Sequence, residues 1–483
     1  MASDLRQKTF SGMIWTFLES FSLQIFGFVQ GIILARLLNP SDYGLIAMTA
    51  IFFSISHAMI DSGFTNALVR KKNHIPIDFS TVYVTNVVLS LVFSIILCLV
   101  SPWVANFYDQ PILKPIMCWN ALCMFFQSFI AVQGTRMRIQ LRFKDLSKIH
   151  VATTILTGVF AIILAFLGFG VWSLVYPNLF RIIIRGLFFW HYQHWFPGFL
   201  FTWVKFREFF SYGSRLMAAN LINTTFNNLY PLVIGKYYSA KDLGFYNKAQ
   251  GYASLPAFTV TGILTKVTFP VLAKVNDDTV ILQSVYRRMI RQSAFIAFPI
   301  LMGLAALAKP AILLMITEKW ATSIPLLQVL CFSMMWTPIH VLNLNLLQVR
   351  GKSGLFLNLE IVKKILFVII LLATFKFGIL YMAIGEIVMS ILCLFINTHY
   401  TGKLINVSFI RQMKDIFPSF LYALSMGILI YLITIAIDNL WLQVISGIIV
   451  GAVYYISIAK LFKSPELDYC ITLLRENVFH KKH

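Results

Sequence analysis

Charge is what this sequence has least of. Charged residues fill only 12% of its 483 positions while apolar types fill 58%, whereas a soluble domain carries about 25% charged residues. That balance excludes an ordinary soluble fold and points to an integral membrane protein. Alternating strands of about ten residues, the mark of a membrane barrel, are absent. Stretches such as "VVLSLVFSIILCLV" and "ILFVIILLATF" lie instead inside apolar runs of roughly 20 residues, long enough to cross a bilayer as helix. The six cysteines include no CxxC pair, and Cys98, Cys118, Cys123, Cys331 and Cys393 fall in apolar runs. Neither a zinc site nor a disulfide framework is expected, and no metal or cofactor. "MASDLRQKTFSGMIW" lacks an A-x-A-like cleavage site and leads into an apolar segment too long for a signal core, so no cleavable signal is expected. "RGKSG" (350–354) resembles the end of a phosphate-binding loop, but Leu346 stands where its first glycine would be, which argues against ATP hydrolysis.

The net charge of +21 would suit a nucleic-acid binder, but its placement does not. The apolar pattern reads as about fourteen spans, from residues 11–37 to 440–461. Thirty of the forty lysines and arginines fall in loops on one side of these spans and eight on the other. Such a bias orients a membrane protein, so both termini are expected in the cytoplasm. No nucleic-acid partner is implied.

The outer side carries an echo. "ARLLNPSDYGLIA" (35–47) and "GKYYSAKDLGFYN" (235–247) repeat a basic residue (Arg36, Lys236), an acid (Asp42, Asp242) and a glycine (Gly44, Gly244). Asn39 and Ser239 suit helix N-caps, with an acid three residues on that reaches back to the cap amide and complements the helix dipole. Each copy therefore reads as a helix start, and the glycines as sites of tight turning or close approach. A second echo aligns Phe169-Gly170 with Phe377-Gly378, and Arg142 with Arg350 at the same offset. The chain thus reads as an all-α membrane protein of two parallel six-helix repeats, 1–200 and 201–410, followed by a helical hairpin and tail, 411–483. In transporters such repeats place substrate near the membrane midplane between the halves.

Polar residues recur at helical spacing in three spans: Thr16, Glu19, Ser20, Gln24 and Gln30 in the first; Ser54, His57, Asp61 and Thr65 in the second; Asn220, Asn223, Thr224, Asn227 and Asn228 in the seventh. Such residues can simply hold helices together. Glu19 and Asp61 favour a water-filled cavity instead, because an ionised group in lipid is costly and faces a cavity or a partner. "LEIVKK" sets Glu360, Lys363 and Lys364 inside the eleventh span, with Glu360 and Lys364 spaced to pair at i,i+4. Lys266, Glu386, Arg136, Arg181 and Arg215 are further intramembrane charges, and those near helix ends can snorkel. His57 stands i,i+4 from Asp61, which leaves a proton site open beside a packing role.

The run "GFYNKAQGYASLPAFTVTGILTKVTFPVLAKVNDD" (244–278), with "ARLLNPSDYGLIAM" and "LEIVKK", resembles the polysaccharide-exporter branch of the multidrug/oligosaccharidyl-lipid/polysaccharide superfamily, and within it the Wzx-type, colanic-acid-exporter-like flippases. The resemblance spans essentially the whole chain. It implies two helical bundles that alternate between inward-open and outward-open states. It also implies transfer of undecaprenyl-pyrophosphate-linked oligosaccharide from the inner to the outer leaflet of a bacterial cytoplasmic membrane, for lipopolysaccharide or exopolysaccharide synthesis. On this resemblance Lys266, Lys363, Lys364 and Arg215 are candidates for the anionic headgroup. Gln24, Asn220, Asn223 and Asn227 suit sugar hydroxyls, and Glu19, Asp61 and His57 suit coupling to H+ or Na+. No covalent catalyst is required, since the task is to carry a polar headgroup across about 30 Å of hydrocarbon in which each unpaired hydroxyl costs kilocalories. The implied partners are lipid-linked oligosaccharide, membrane lipid and a polysaccharide polymerase, with the protein acting as a monomer. The competing readings are a cation-coupled multidrug exporter and a polytopic glycosyltransferase using Asp42. The matched Asp242 argues that Asp42 is structural.

Overall fold

The structure, a computed structural model, describes the backbone of residues 2–61 and 63–479, and their side chains except at 2–10, 13, 61, 215, 216, 353 and 473–479. The described residues are helical, with no strand, and divide into two compact units, Met1–Gly244 and Phe245–His483. Unit 1 holds α1 (Ala2–Leu37), α2 (Pro40–Asp61), α3 (Phe64–Arg70), α4 (Pro76–Phe107), α5 (Leu113–Ile139), α6 (Phe143–Phe166), α7 (Trp172–Gln193), α8 (Trp203–Asn227) and α9 (Leu229–Tyr237). The long α10 (Ala240–Lys274) starts in unit 1 and continues into unit 2. Unit 2 adds α11 (Thr279–Ala306), α12 (Ala308–Ile316), α13 (Ser323–Met334), α14 (Thr337–Val349), α15 (Ser353–Thr374), α16 (Ile379–Ile405), α17 (Phe409–Ala436), α18 (Leu440–Leu461) and α19 (Pro465–Phe479).

Among the described residues eleven stretches are long and apolar enough to cross a bilayer. The spans expected near 170–192, 211–235 and 354–376 are helical too, as α7, α8 with α9, and α15, but are not among the eleven. They are the spans that carry Arg181 and Arg185, the asparagines 220 to 228, and Glu360 with Lys363 and Lys364. In α15 the interruption is charge alone, since Glu360, Lys363 and Lys364 stand in an otherwise apolar helix.

The two outer helix starts form as the sequence implies. Asp42 Oδ2 accepts from the Asn39 amide at 2.9 Å, and Asp242 Oδ2 accepts from the Ser239 hydroxyl at 2.7 Å. The Ser239 hydroxyl oxygen in turn accepts from the Asp242 amide at 3.1 Å. The glycines explain the rest of the echo. A β-carbon on Gly44 would overlap the Ala240 carbonyl, and one on Gly244 would overlap the Pro40 carbonyl. The starts of α2 and α10 therefore meet backbone to backbone, each glycine admitting the other copy. The second echo is structural as well: Arg142 donates to the Tyr192 carbonyl at 3.2 Å and Arg350 to the Asn276 carbonyl at 2.9 Å.

Inside unit 1, α4 packs along α5, α1 along α6 and α6 along α7. Ser94 donates to the Ala121 carbonyl at 2.7 Å across the first of these seams, using a small polar residue as interhelical glue. In unit 2, α11 packs on α17 and α13 on α16. Tyr286 donates to Asn343 Oδ1 at 2.7 Å, and Tyr455 of α18 donates to the Phe295 carbonyl of α11 at 2.9 Å. The C-terminal hairpin is thus packed into unit 2.

Candidate functional site

The site lies within unit 1, where polar faces of α2, α5 and α7 converge. One cavity of about 390 Å³ is lined by His57, Asn120, Gln127, Asn178, Arg181 and Arg185 among apolar residues. It adjoins a second, of about 410 Å³, that shares His57, Gln127 and Arg185 and adds Asn66, Arg138 and His150. A third recess, lined by Gln30, Thr154, Thr157, Asn178 and Arg181, continues toward α1 and α6.

Helix α7 sets the chemistry. Its arginines are one helical turn apart and therefore share a face. Arg181 donates to Asn178 Oδ1 at 3.4 Å, and Asn178 donates to Asn120 Oδ1 at 3.4 Å. Arg185 lies within electrostatic reach of Arg181, Arg138 and Glu19, and its Nε makes no hydrogen bond among the described residues. Three guanidinium groups thus border connected cavities near one carboxylate. An arginine fork matches phosphate oxygens two at a time, and amides beside it match hydroxyls.

Glu19 has partners that helical spacing does not reveal. Ser147 donates to Glu19 Oε2 at 2.6 Å, and His150 Nδ1 lies 2.6 Å from Glu19 Oε1. Both partners sit on α6, three residues apart. In the sequence they are masked by Lys144, which precedes both, and Lys148, which stands between them, giving the segment the look of a basic inner loop. His57 does face both cavities, whereas the Asp61 side chain lies outside the described residues, as does that of Arg215.

The other expected site residues are spread out. Gln24, Asn220, Asn223 and Asn227 are all exposed side chains of unit 1. Lys266, Lys363 and Lys364 belong to unit 2, where Lys266 is exposed, Lys364 half-buried and Lys363 buried. The expected i,i+4 pair of Glu360 with Lys364 is corrected: Glu360 bonds Lys363, one residue nearer. Lys363 is the more buried amine, so the carboxylate goes where an unpaired charge costs most. Arg136 stacks over the Trp195 ring at 4.1 Å, a packing role at its helix end. Sequence alone groups Arg181 and Arg185 with the inner-end arginines and does not single them out as site residues. Only their spacing on one face could have separated them.

The family model for polysaccharide biosynthesis proteins matches residues 33–325. The chain belongs to that family. It is 24% identical over 443 residues to the teichuronic acid biosynthesis protein TuaB of Bacillus subtilis (strain 168), covering 91% of this chain and 92% of that one. It is 26% identical over 378 residues to the lipopolysaccharide biosynthesis protein WzxC of Escherichia coli (strain K12), covering 75% and 74%. In fold it is similar to the lipid II flippase MurJ in an inward closed conformation, with TM-score 0.73, 16% identity and coverage of 93% and 98%. An inward-facing multidrug resistance MATE transporter of the MOP superfamily is similar at TM-score 0.59 and 16% identity, over 80% and 96%. As a member of this family the protein is a multi-pass membrane protein of the flippase and multidrug-transporter fold, as its sequence implies.

Proposed function

We propose that the protein carries an undecaprenyl-pyrophosphate-linked oligosaccharide from the inner to the outer leaflet of a bacterial cytoplasmic membrane by alternating access, for lipopolysaccharide or exopolysaccharide synthesis. One observation carries the reading: arginines 138, 181 and 185 and the amides of Asn120, Gln127 and Asn178 line connected cavities within an apolar bundle. That lining replaces the water that a pyrophosphate and its sugars lose on leaving solution. The family membership and the relatives' roles in polysaccharide biosynthesis support the same substrate class.

In this reading Arg181 and Arg185 take the pyrophosphate, with Lys266, Lys363, Lys364 and Arg215 as further headgroup contacts from the resemblance. Gln24, Asn220, Asn223 and Asn227 meet sugar, and Glu19, His57 and Asp61 couple to H+ or Na+. The two six-helix repeats alternate between inward-open and outward-open states, with the final hairpin packed into unit 2. The termini are cytoplasmic by the basic-loop bias, and a polysaccharide polymerase receives the product. The protein moves its substrate without covalent chemistry.

A small-molecule exporter is the second reading, favoured by the likeness to the multidrug transporter fold. A cavity bordered by Arg138, Arg181 and Arg185 repels organic cations, which limits that reading to neutral or anionic compounds. The test is deletion of the gene, with lipid-linked oligosaccharide followed in each leaflet and complementation by wild type, Arg185→Gln and Lys363→Ala/Lys364→Ala. Inner-leaflet accumulation rescued by wild type and not by Arg185→Gln at equal expression is expected. An unchanged distribution in a cell without a redundant flippase would overturn the reading in favour of the exporter.

A further inference from the structure

A second basic cavity lies within unit 2, where α11 meets the terminal helix α19. Its volume is about 410 Å³, and it is lined by Ser284, Arg288, Arg291 and Gln292 of α11 and by Pro465, Glu466 and Tyr469 of α19. Positive charge is in excess here. Arg287 engages both oxygens of Asp415, at 2.6 and 2.7 Å, which leaves Arg291 Nη1 3.9 Å from the same carboxylate. Glu466 is 3.2 Å from Arg291 Nε and also accepts from the Ser464 hydroxyl at 2.6 Å. Arg288 has an aromatic partner instead of a carboxylate, its guanidinium stacked 3.8 Å from the Tyr469 ring centroid.

The donors of this cavity are under-used. Arg291 Nε, though close to Glu466, is not aimed at it, and neither that N–H nor Gln292 Nε2 makes a hydrogen bond among the described residues although both atoms are buried. Unsatisfied buried donors are uncommon and call for an acceptor. Stacking on a ring holds a guanidinium plane while leaving its N–H edge for a ligand. A fixed fork, a second guanidinium and a carboxamide donor together suit a group with several acceptor oxygens and negative charge, which is a phosphate.

We infer that the α11–α19 cavity is a phosphate-binding site distinct from the transport cavity, with Arg288, Arg291 and Gln292 as its donors. The cavity sits at the ends of the spans α11, α17 and α18, where basic pockets between membrane helices take anionic lipid headgroups. The same donors serve a free phosphate. Occupancy ties α19 to α11 through the ligand as well as through Glu466, so the ligand stabilises unit 2. The site stands on its own geometry and does not depend on which substrate the protein moves.

The test uses the full chain purified in neutral detergent, with thermal unfolding followed during titration of dioctanoyl-phosphatidylglycerol, dioctanoyl-phosphatidylcholine or inorganic phosphate. A saturable rise in Tm with phosphatidylglycerol alone identifies an anionic lipid headgroup, whereas a saturable rise with inorganic phosphate identifies a soluble anion. In either case Arg288→Gln is expected to weaken the apparent affinity by about tenfold or more, the order of one charge-assisted hydrogen bond. Gln292→Leu, which leaves every ion pair in place, weakens it severalfold, and Lys72→Gln in unit 1 leaves it unchanged. If Arg288→Gln does not fold, Gln292→Leu decides. No saturable rise with any ligand, or equal affinity in wild type and Gln292→Leu, would overturn the site.

Discussion

His150 Nδ1 lies 2.6 Å from Glu19 Oε1 and so joins α6 to α1 at the edge of a cavity that His150 itself lines. Ser147, one turn earlier on α6, holds the other carboxylate oxygen at 2.6 Å. A carboxylate inside a bundle is tolerated when its oxygens are met in this way. Replacing His150 by Ala leaves Glu19 with one partner fewer in a half-buried place. The expected loss is about 1–3 kcal/mol of stability, read as a lower Tm in detergent. Glu19→Gln keeps the shape and removes the charge. If Glu19 serves coupling, transport by Glu19→Gln loses its dependence on the ion gradient while the protein still accumulates in the membrane. Retained gradient dependence would assign Glu19 to packing alone.

Gly44 and Gly244 each receive the backbone of the opposite repeat, so Gly44→Ala and Gly244→Ala are both expected to destabilise. Forcing a methyl group into a packed contact costs typically about 1–3 kcal/mol, and here the neighbour is a carbonyl that cannot swing aside. Gly27 and Gly251 have nothing within 4 Å of the place a methyl group would take, so alanine there is neutral or slightly stabilising. Thermal unfolding of the four variants separates close approach from helix propensity.

Arg185 separates function from stability. Its Nε is buried without an acceptor among the described residues, so Arg185→Gln removes a desolvated charge that the resting protein does not fully satisfy. The Tm is expected to stay the same or rise, while transport of lipid-linked oligosaccharide falls by about tenfold or more, the order of one charge-assisted contact. Arg185→Lys keeps the charge without the fork and falls between the two. A Tm loss matching the loss of transport would make the arginine structural.

Glu360 and Lys363 form the ion pair of α15, with 28% and 11% of their side chains exposed. Breaking one side of a buried pair leaves an uncompensated charge and costs about 3–5 kcal/mol when burial is complete. Glu360→Gln is therefore expected to lower Tm clearly, though by less than that range since Glu360 is partly exposed. Lys364→Ala has the smaller effect. Replacing both members, as Glu360→Gln with Lys363→Met, restores much of the loss. Equal effects of Glu360→Gln and Lys364→Ala in unfolding curves would restore the i,i+4 pairing that the spacing suggests.

Much of this protein is legible in its residues alone. Hydropathy and scarcity of charge determine that the chain is helical and lies in a membrane, because a bilayer core satisfies backbone groups only in helices or closed barrels. The echo of Asn39, Asp42 and Gly44 in Ser239, Asp242 and Gly244 determines the two helix starts, because capping is local and acts within four residues. That each glycine serves the other copy is not legible there, since two hundred residues separate the surfaces that meet.

The site is less legible for the same reason. Helical spacing puts Arg181 and Arg185 on one face, but spacing does not say whether a face meets lipid, a neighbouring helix or a cavity. Only the packing of α7 against α5 and α6 turns that face inward beside Asn120 and His150. The choice of Lys363 over Lys364 by Glu360 is likewise a matter of burial, because both spacings lie within reach along a helix. Sequence determines periodicity and local caps, which depend on near neighbours. Tertiary structure decides which polar groups are removed from lipid and who partners them, because those energies depend on what packs alongside.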